Sequence, residues 1–415
     1  MNQPKTHPVE GMMEIDFNSP EFQRDFKEIY AKMHASGCPF AHSTPGDHYA
    51  IGSYKALTDA LLQPKLWRSK YGPGLPYQPE DTPGVLVSVD PPEHTMEARI
   101  AGKVFSKAYF DSFEPRIAEY IEKRVDSFFA KGECDIHAEL SVPLPLFVIF
   151  EMFGIPLDGR AQMFRDELKA SVGFMLTPAD LRGGKSQADF TKQSERMIQA
   201  HFAECVEKLA SGEWEPDRNL VTKFMTTEVN GERLSDEKIL GFCRFLLTAG
   251  SATTTILLSN VLYRLLSEPE QFQMIRDDPS LIPIAIEEAL RIDAPVQGLF
   301  RTNDEPTELA GVELEPDTKV MMLWAAANLD PEMFDDPQKF DITRPPNVIR
   351  KHVAFGHGIH VCRGAPLARM EAKIFLETLI RRLPNMRIAG EVKPELAMPV
   401  LQGIAEFPLA WDVTP

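Results

Sequence analysis

Apolar residues recur at helical spacing over Pro20–Ser36, where Phe22, Phe26, Ile29, Tyr30 and Met33 share a face and Gly37 stops the run. Residues 1–19 read as an extended, proline-containing leader. His48–Tyr54 reads as a strand, and Lys55–Leu62 as a short helix ended by Pro64. Residues 65–89 are rich in Gly, Pro and aromatics, and so long a loop in a compact domain predicts a lid or binding loop. Asp90-Pro91-Pro92-Glu93 predicts a helix start, with Asp90 the N-cap candidate. The pattern stays mostly helical to about residue 211, broken at Gly132, Pro143/Pro145, Gly154/Pro156 and Thr177–Gly184, the last a Gly-rich and mobile connection. Ser235 and Asp236 cap the longest predicted helix, which runs to Ser267-Glu268-Pro269 and spans roughly 50 Å at 1.5 Å per residue. Pro279–Arg291 is a further helix, residues 296–324 alternate as strands, and 330–354 are irregular and proline-rich. A helix follows Cys362 to about Leu383, and the tail reads as short strands. The predicted class is mainly α with a smaller β-rich part.

A chain of 415 residues exceeds the usual single core, which predicts two lobes within one domain spanning 1–415. A net charge of −17 and the lack of any Lys/Arg run argue against nucleic acid. Five scattered cysteines without a C-x-x-C pair suit a reducing compartment, hence a cytoplasmic location. With no signal peptide and no run of about 18 apolar residues, no membrane anchor is expected. No G-x-G-x-x-G follows a strand, so no nicotinamide or flavin domain is expected.

The chemistry concentrates in Phe355-Gly356-His357-Gly358-Ile359-His360-Val361-Cys362-Arg363-Gly364. A lone cysteine is usually a small buried hydrophobe. Here three glycines let backbone N–H groups approach one atom, and the following helix start favours thiolate over thiol. Such a protected, charged sulfur suits haem iron. The string resembles the haem-binding loop of the cytochrome P450 family, Phe-Gly-x-Gly-x-His-x-Cys-x-Gly, at every fixed position. In the long helix, Ala249, Gly250 and Thr253 resemble that family's oxygen-binding groove, whose pattern is Ala/Gly-Gly-x-Asp/Glu-Thr. Ala252 stands where the acid belongs. Taken alone, those small residues would read as close helix–helix packing. Glu288 and Arg291 resemble the family's Glu-x-x-Arg, with Arg344 as its third member, a set assigned to structure.

The resemblance implies a P450-like fold with haem between the long central helix and the cysteine loop. Cys362 would ligate the iron, and Phe355, Gly356, His360 and Gly364 would shape the loop around the cofactor. His94, Arg301 and His360 would bind the haem propionates. The arginine usual four residues after His94 is Ala98, and Arg99 points elsewhere on the helix. His42, His137, His201 and His352 read as ordinary surface or loop residues. The implied activity is insertion of one oxygen atom from O2 into a small to medium apolar substrate, by an oxidoreductase carrying haem b (iron protoporphyrin IX). Electrons would come from a separate ferredoxin and reductase, so NAD(P)H serves only indirectly. Arg363, Arg369, Lys103 and Lys107 would form the basic face for an acidic donor. Thr253 and Ala252 are the candidate catalytic positions, with proton passage through water, Ser251, Thr253 or a distant group. The pocket is expected to use Phe245, Thr248, Ala249, Val296, Gln297 and Leu299, with the 65–89 loop and Gly183–Gly184 as its lid. A peroxide-driven peroxygenase and a non-catalytic haem sensor or carrier are the competing functions.

Overall fold

The computed structural model describes residues 11–75, 84–155, 163, 166–167, 170, 192–395 and 400–413. The Thr177–Gly184 break, the Gly183–Gly184 half of the expected lid, and residues 76–83 of the other half lie outside them.

Helices dominate, and the longest is Asp236–Ser267, with 32 residues. The Ser235 hydroxyl caps it by accepting from the Lys238 amide at 3.3 Å. Its second half is buried on every face from Thr254 to Leu262, as expected for a helix running through a core rather than over one. One 18-residue window has mean hydropathy 1.4 and is 61% buried, so by length and composition alone this helix could cross a membrane. Most of that window lies inside the fold, as for the core helix of a globular domain. Gly250 and the threonines do not interrupt it. The Thr253 hydroxyl donates to the Ala249 carbonyl at 2.8 Å, beside an intact helix. Helices Pro143–Phe153, Ile282–Ile292 and Ala365–Arg382 pack against this central element.

The largest sheet among the described residues has six strands in the spatial order Met13–Glu14, Phe40–Ser43, His48–Ile51, Lys319–Met322, Leu299–Asn303 and Trp67–Arg68, beside one three-stranded and two two-stranded sheets. Leu299–Asn303 pairs antiparallel with Lys319–Met322, Arg301 lying opposite Val320. One face of the sheet joins the large helical core. The other buries a separate cluster of Phe40, Tyr49, Ile51, Leu57, Trp67, Val320, Met322 and Trp324. The buried apolar residues thus fall into two clusters among the described residues. The leader departs from expectation, because Met13–Glu14 adds a parallel strand to Ala41–His42. Asp90 also departs: Pro92 occupies the N-cap of Glu93–Val104, and the Asp90 carboxylate accepts instead from the Ser69 amide at 2.9 Å and the Lys70 amide at 3.2 Å.

The histidines read as surface residues are buried and bonded, which corrects that reading. His137 meets the Ser259 hydroxyl at 3.0 Å, His201 the Phe153 carbonyl at 2.8 Å, His352 Glu287 at 3.0 Å, and His42 Glu14 at 2.8 Å. Sequence position could not reveal this, since each partner is distant along the chain or belongs to the missed leader strand.

Behind the cysteine loop lies an ion triad. Arg291 donates to both Glu288 oxygens at 2.7 and 2.8 Å, and Arg344 reaches Glu288 at 3.2 Å. Glu288 and Arg291 are fully buried, and Arg291 also donates to the carbonyls of Asn328, Pro337 and Lys339. Such a set holds only while complete, because a lone buried charge is costly. Glu288→Ala should therefore destabilise the fold by about 3–5 kcal/mol in denaturant unfolding, with the isosteric Glu288→Gln milder.

His48 generates a pH prediction. It lies buried between Phe17 and Phe300, with ring centroids 5.9 and 4.9 Å away, and burial lowers its pKa to about 3, helped by His42. A histidine depressed on folding stabilises fully above its unfolded pKa of ~6.5, and that contribution is lost as pH falls towards the folded value. His48→Phe should flatten the decline in stability between about pH 6.5 and 3, leaving stability at pH 8 less affected. A parallel decline in parent and variant would contradict this.

Candidate active site

The cysteine loop is shaped by backbone constraints. Gly356 and Gly358 take φ of +76° and +73°. A Cβ on Gly358 would fall 2.4 Å from the Leu61 carbonyl oxygen, so only glycine lets the loop pass the end of helix Tyr54–Leu61. The Cys362 amide donates to the Phe355 carbonyl at 2.9 Å, closing the loop. The helix Ala365–Arg382 begins at once, with Gly364 as its N-cap residue. Cys362 is exposed on one side, while protein around it raises the thiol pKa. The Gly364 and Ala365 amides and the Arg369 charge oppose that rise and favour thiolate.

Beside this loop three basic residues gather, His94, His360 and Arg301, with Asp90 the acid that acts on His94 and Arg301. The His94 and His360 rings lie 4.3 Å apart. His360 shares a 3.0 Å hydrogen bond with the Ser69 hydroxyl through Nε2, while its Nδ1 and the Nε2 of His94 are buried without a partner. Arg301 is buried and donates to the Phe300 carbonyl at 2.7 Å. Burial lowers its pKa to about 10, with Asp90 opposing. Burial, Arg301 and His94 lower His360 to about 3, and burial followed by Arg363 lowers His94. Buried donors without acceptors are rare and costly. This donor set fits the carboxylates of a haem. Arg99 is exposed, as expected, and does not join it.

On the long helix, Phe245, Ala249 and Thr253 form an i, i+4, i+8 stripe that is only half-buried, whereas Leu247, Ser251 and Thr255 are buried. Ala252 is buried next to this stripe. The Thr248 hydroxyl donates to the Arg244 carbonyl at 3.3 Å. Ser251 is buried on the opposite face and donates to the Leu247 carbonyl at 2.8 Å. Gly250 faces Ile149, whose Cδ1 would lie 2.7 Å from an added Cβ, so this glycine serves helix packing. Val296 and Leu299 are half-buried. Gln297 is corrected as a pocket residue: it is 1% exposed, and its amide oxygen accepts from the Tyr30 hydroxyl at 2.7 Å.

The described ends of the 65–89 loop are pinned at both sides. Lys319 donates to the Gly74 carbonyl at 2.9 Å, and the Phe300 amide to Pro73 at 2.9 Å. At the other end Lys238, at the start of the long helix, pairs with Glu97 at 2.9 Å and donates to the Gly84 carbonyl. Sequence reasoning missed Ser69 and Asp90, which hold His360 and the loop base. Neither carries a motif, and only Asp90 gave a signal, misassigned as a cap.

A family model described as Cytochrome P450 matches residues 50–398. The chain is 34% identical over 403 residues to Cytochrome P450 monooxygenase PikC of Streptomyces venezuelae, covering 94% of this chain and 92% of that one. It is 31% identical to a Steroid C26-monooxygenase of Mycobacterium tuberculosis, covering 88% of this chain and 95% of that one. The solved structure of CYP109Q5 from Chondromyces apiculatus superposes with a TM-score of 0.84 at 30% identity, over 97% of this chain and 99% of that one. The thiol at a helix start and the buried basic residues beside it thus lie in a chain that matches these proteins over nearly its whole length, and this chain belongs to the cytochrome P450 family of haem-dependent monooxygenases.

Proposed function

We propose that residues 1–415 act as one haem-thiolate monooxygenase domain. It would insert one oxygen atom from O2 into a small to medium apolar substrate, with electrons from a separate ferredoxin and reductase and NAD(P)H consumed only by those partners. The observation that carries this reading is the pair of buried, partnerless ring nitrogens on His94 and His360, with the buried Arg301 guanidinium near them, beside the Cys362 loop. Haem b, when bound, supplies the oxygen-activating chemistry. Cys362 would hold its iron, with the Gly364 and Ala365 amides stabilising the thiolate. His94, His360 and Arg301 would take its carboxylates, while Phe355, Gly356 and Gly364 keep the loop's shape.

Phe245, Ala249, Val296 and Leu299 supply apolar wall for the substrate, and Thr248, whose hydroxyl proton is engaged, keeps lone pairs to accept. That a relative is a Steroid C26-monooxygenase supports an apolar substrate of that size range. Thr253 donates to Ala249, so its oxygen can accept from a water and orient that water's second proton into the site. For the electron donor, Arg363 is exposed, but Lys107 is paired with Asp111, Lys103 donates to the Glu228 carbonyl and Arg369 is paired with Glu287, which narrows the basic face. The five unpaired cysteines support a cytoplasmic setting.

Ala252 favours a second reading, in which peroxide drives turnover. A methyl group replaces the relay acid, and general acid catalysis is worth about 10²–10⁴-fold. NADH consumption and product should be measured with a ferredoxin and its reductase, against hydrogen peroxide alone. The expected parent behaviour is slow NADH-driven turnover, incomplete coupling and a marked solvent isotope effect. Ala252→Asp should raise the NADH-driven rate at some cost in stability, since position 252 is buried, and Thr253→Ala should increase peroxide leakage. Fast, fully coupled turnover in the parent that Ala252→Asp slows would contradict the missing-relay account. Product with peroxide alone would favour the second reading.

A further inference from the structure

Three residues outside the expected site converge on the outer side of the cysteine loop. Glu287, in helix Ile282–Ile292, accepts from Arg369 at 2.6 and 2.8 Å in a two-pronged pair. His352, just before the loop, shares a 3.0 Å hydrogen bond with the same carboxylate. The Arg369 guanidinium lies over the Phe355 ring, 4.5 Å from its centroid. Phe355 in turn accepts the Cys362 amide at 2.9 Å. Although burial pushes the Glu287 carboxyl up, Arg369 and His352 hold it down at about 2, so it is a carboxylate at any working pH. Glu287 is 10% exposed and Arg369 39% exposed. With Lys107 and Met370 they line a surface concavity of about 300 Å³. The pair therefore has one side towards solvent and its inner side against Phe355.

An aromatic ring beside a loop is packed as well by an aliphatic side chain, and the Arg369 half of the pair is open to solvent, which screens it. Its position gives it another use. Arg369 acts electrostatically on the Cys362 sulfur, and Glu287 sits one layer further out with the opposite sign. When ferric iron takes up one electron, the iron–thiolate unit becomes more negative by one charge. A cation one ring away favours that change, and the anion behind it offsets part of the effect.

We propose that the Glu287–Arg369 pair sets the reduction potential of the Cys362-ligated iron, with Arg369 a positioning residue acting through Phe355 and Glu287 its counterweight. This rests on Cys362 being the ligand. The haem-loaded parent, Arg369→Gln, Arg369→Lys, Glu287→Gln and the double variant Glu287→Gln/Arg369→Gln are titrated with dithionite while the spectrum is followed. The CO complex of each reduced protein is recorded alongside.

Arg369→Gln should lower the reduction equilibrium and Glu287→Gln should raise it, each by up to about tenfold, or about 59 mV for one electron. Arg369→Lys should stay near the parent, and the double variant should return towards it. A pair that merely braces the loop predicts the opposite: both single variants shift the same way, and the double variant is furthest from the parent. That result, or unchanged potentials in proteins that keep the thiolate CO band, would overturn the proposal alone. A parent without that band would overturn the ligand reading and the proposal with it. Should Arg369→Gln fail to fold, the sign of the Glu287→Gln shift still decides.

Discussion

A sulfur able to hold a metal has to be presented without being enclosed, and the fold meets that demand with backbone rather than side chains. Gly358 passes the Leu61 carbonyl where no Cβ fits, and the Phe355 carbonyl ties the Cys362 amide. The loop is in turn anchored through buried polar contacts. Arg291 donates to the Asn328 carbonyl at 3.0 Å, the Asn328 side chain accepts from the Val353 amide at 2.7 Å, and the Val353 carbonyl accepts from Gly356 at 2.8 Å. The Glu288–Arg291–Arg344 triad thus reaches the cysteine in a few bonds. Its conformational restraint on the loop offsets the poor return of a buried ion pair in stability.

The same arrangement leaves buried ring nitrogens unpaired beside the loop. His94 and His360 are held neutral by burial and by Arg301, and each keeps a buried nitrogen without a partner. Asp90 fastens the Ser69–Lys70 turn, and Ser69 fixes His360, so the base of the 65–89 loop and the cofactor-facing donors share one support. The long helix is buried along much of its length and half-buried along Phe245, Ala249 and Thr253. Its small residues divide between two tasks. Gly250 admits Ile149 of a neighbouring helix, while Ala249 and Thr253 lie on the half-buried stripe.

What was legible in the sequence follows physical range. Helix boundaries at Ser235, Gly132 and Gly154 depend on local caps and φ, and they appear where the pattern predicts. The cysteine loop, Glu288, Arg291 and Arg344 were legible because spacing and residue type repeat a family pattern. Long-range pairings were not. The strand Met13–Glu14 needs Ala41–His42 to exist, Asp90 looks like a cap until the Ser69 turn lies beside it, and Gln297 looks available until Tyr30 claims its amide. Buried histidines read as surface residues for the same reason, since partners such as Ser259, Phe153 and Glu287 lie dozens of residues away.

The central claim is that Cys362, as thiolate, is the axial ligand of a haem. The direct measurement is the absorption spectrum of the reduced, CO-bound protein, for the parent and for Cys362→His. The account predicts the strongly red-shifted Soret band of thiolate-ligated haem in the parent and its loss in the variant, with haem retained through the His94, His360 and Arg301 side. An imidazole-type CO spectrum from the parent, or a thiolate band that survives Cys362→His, would contradict it.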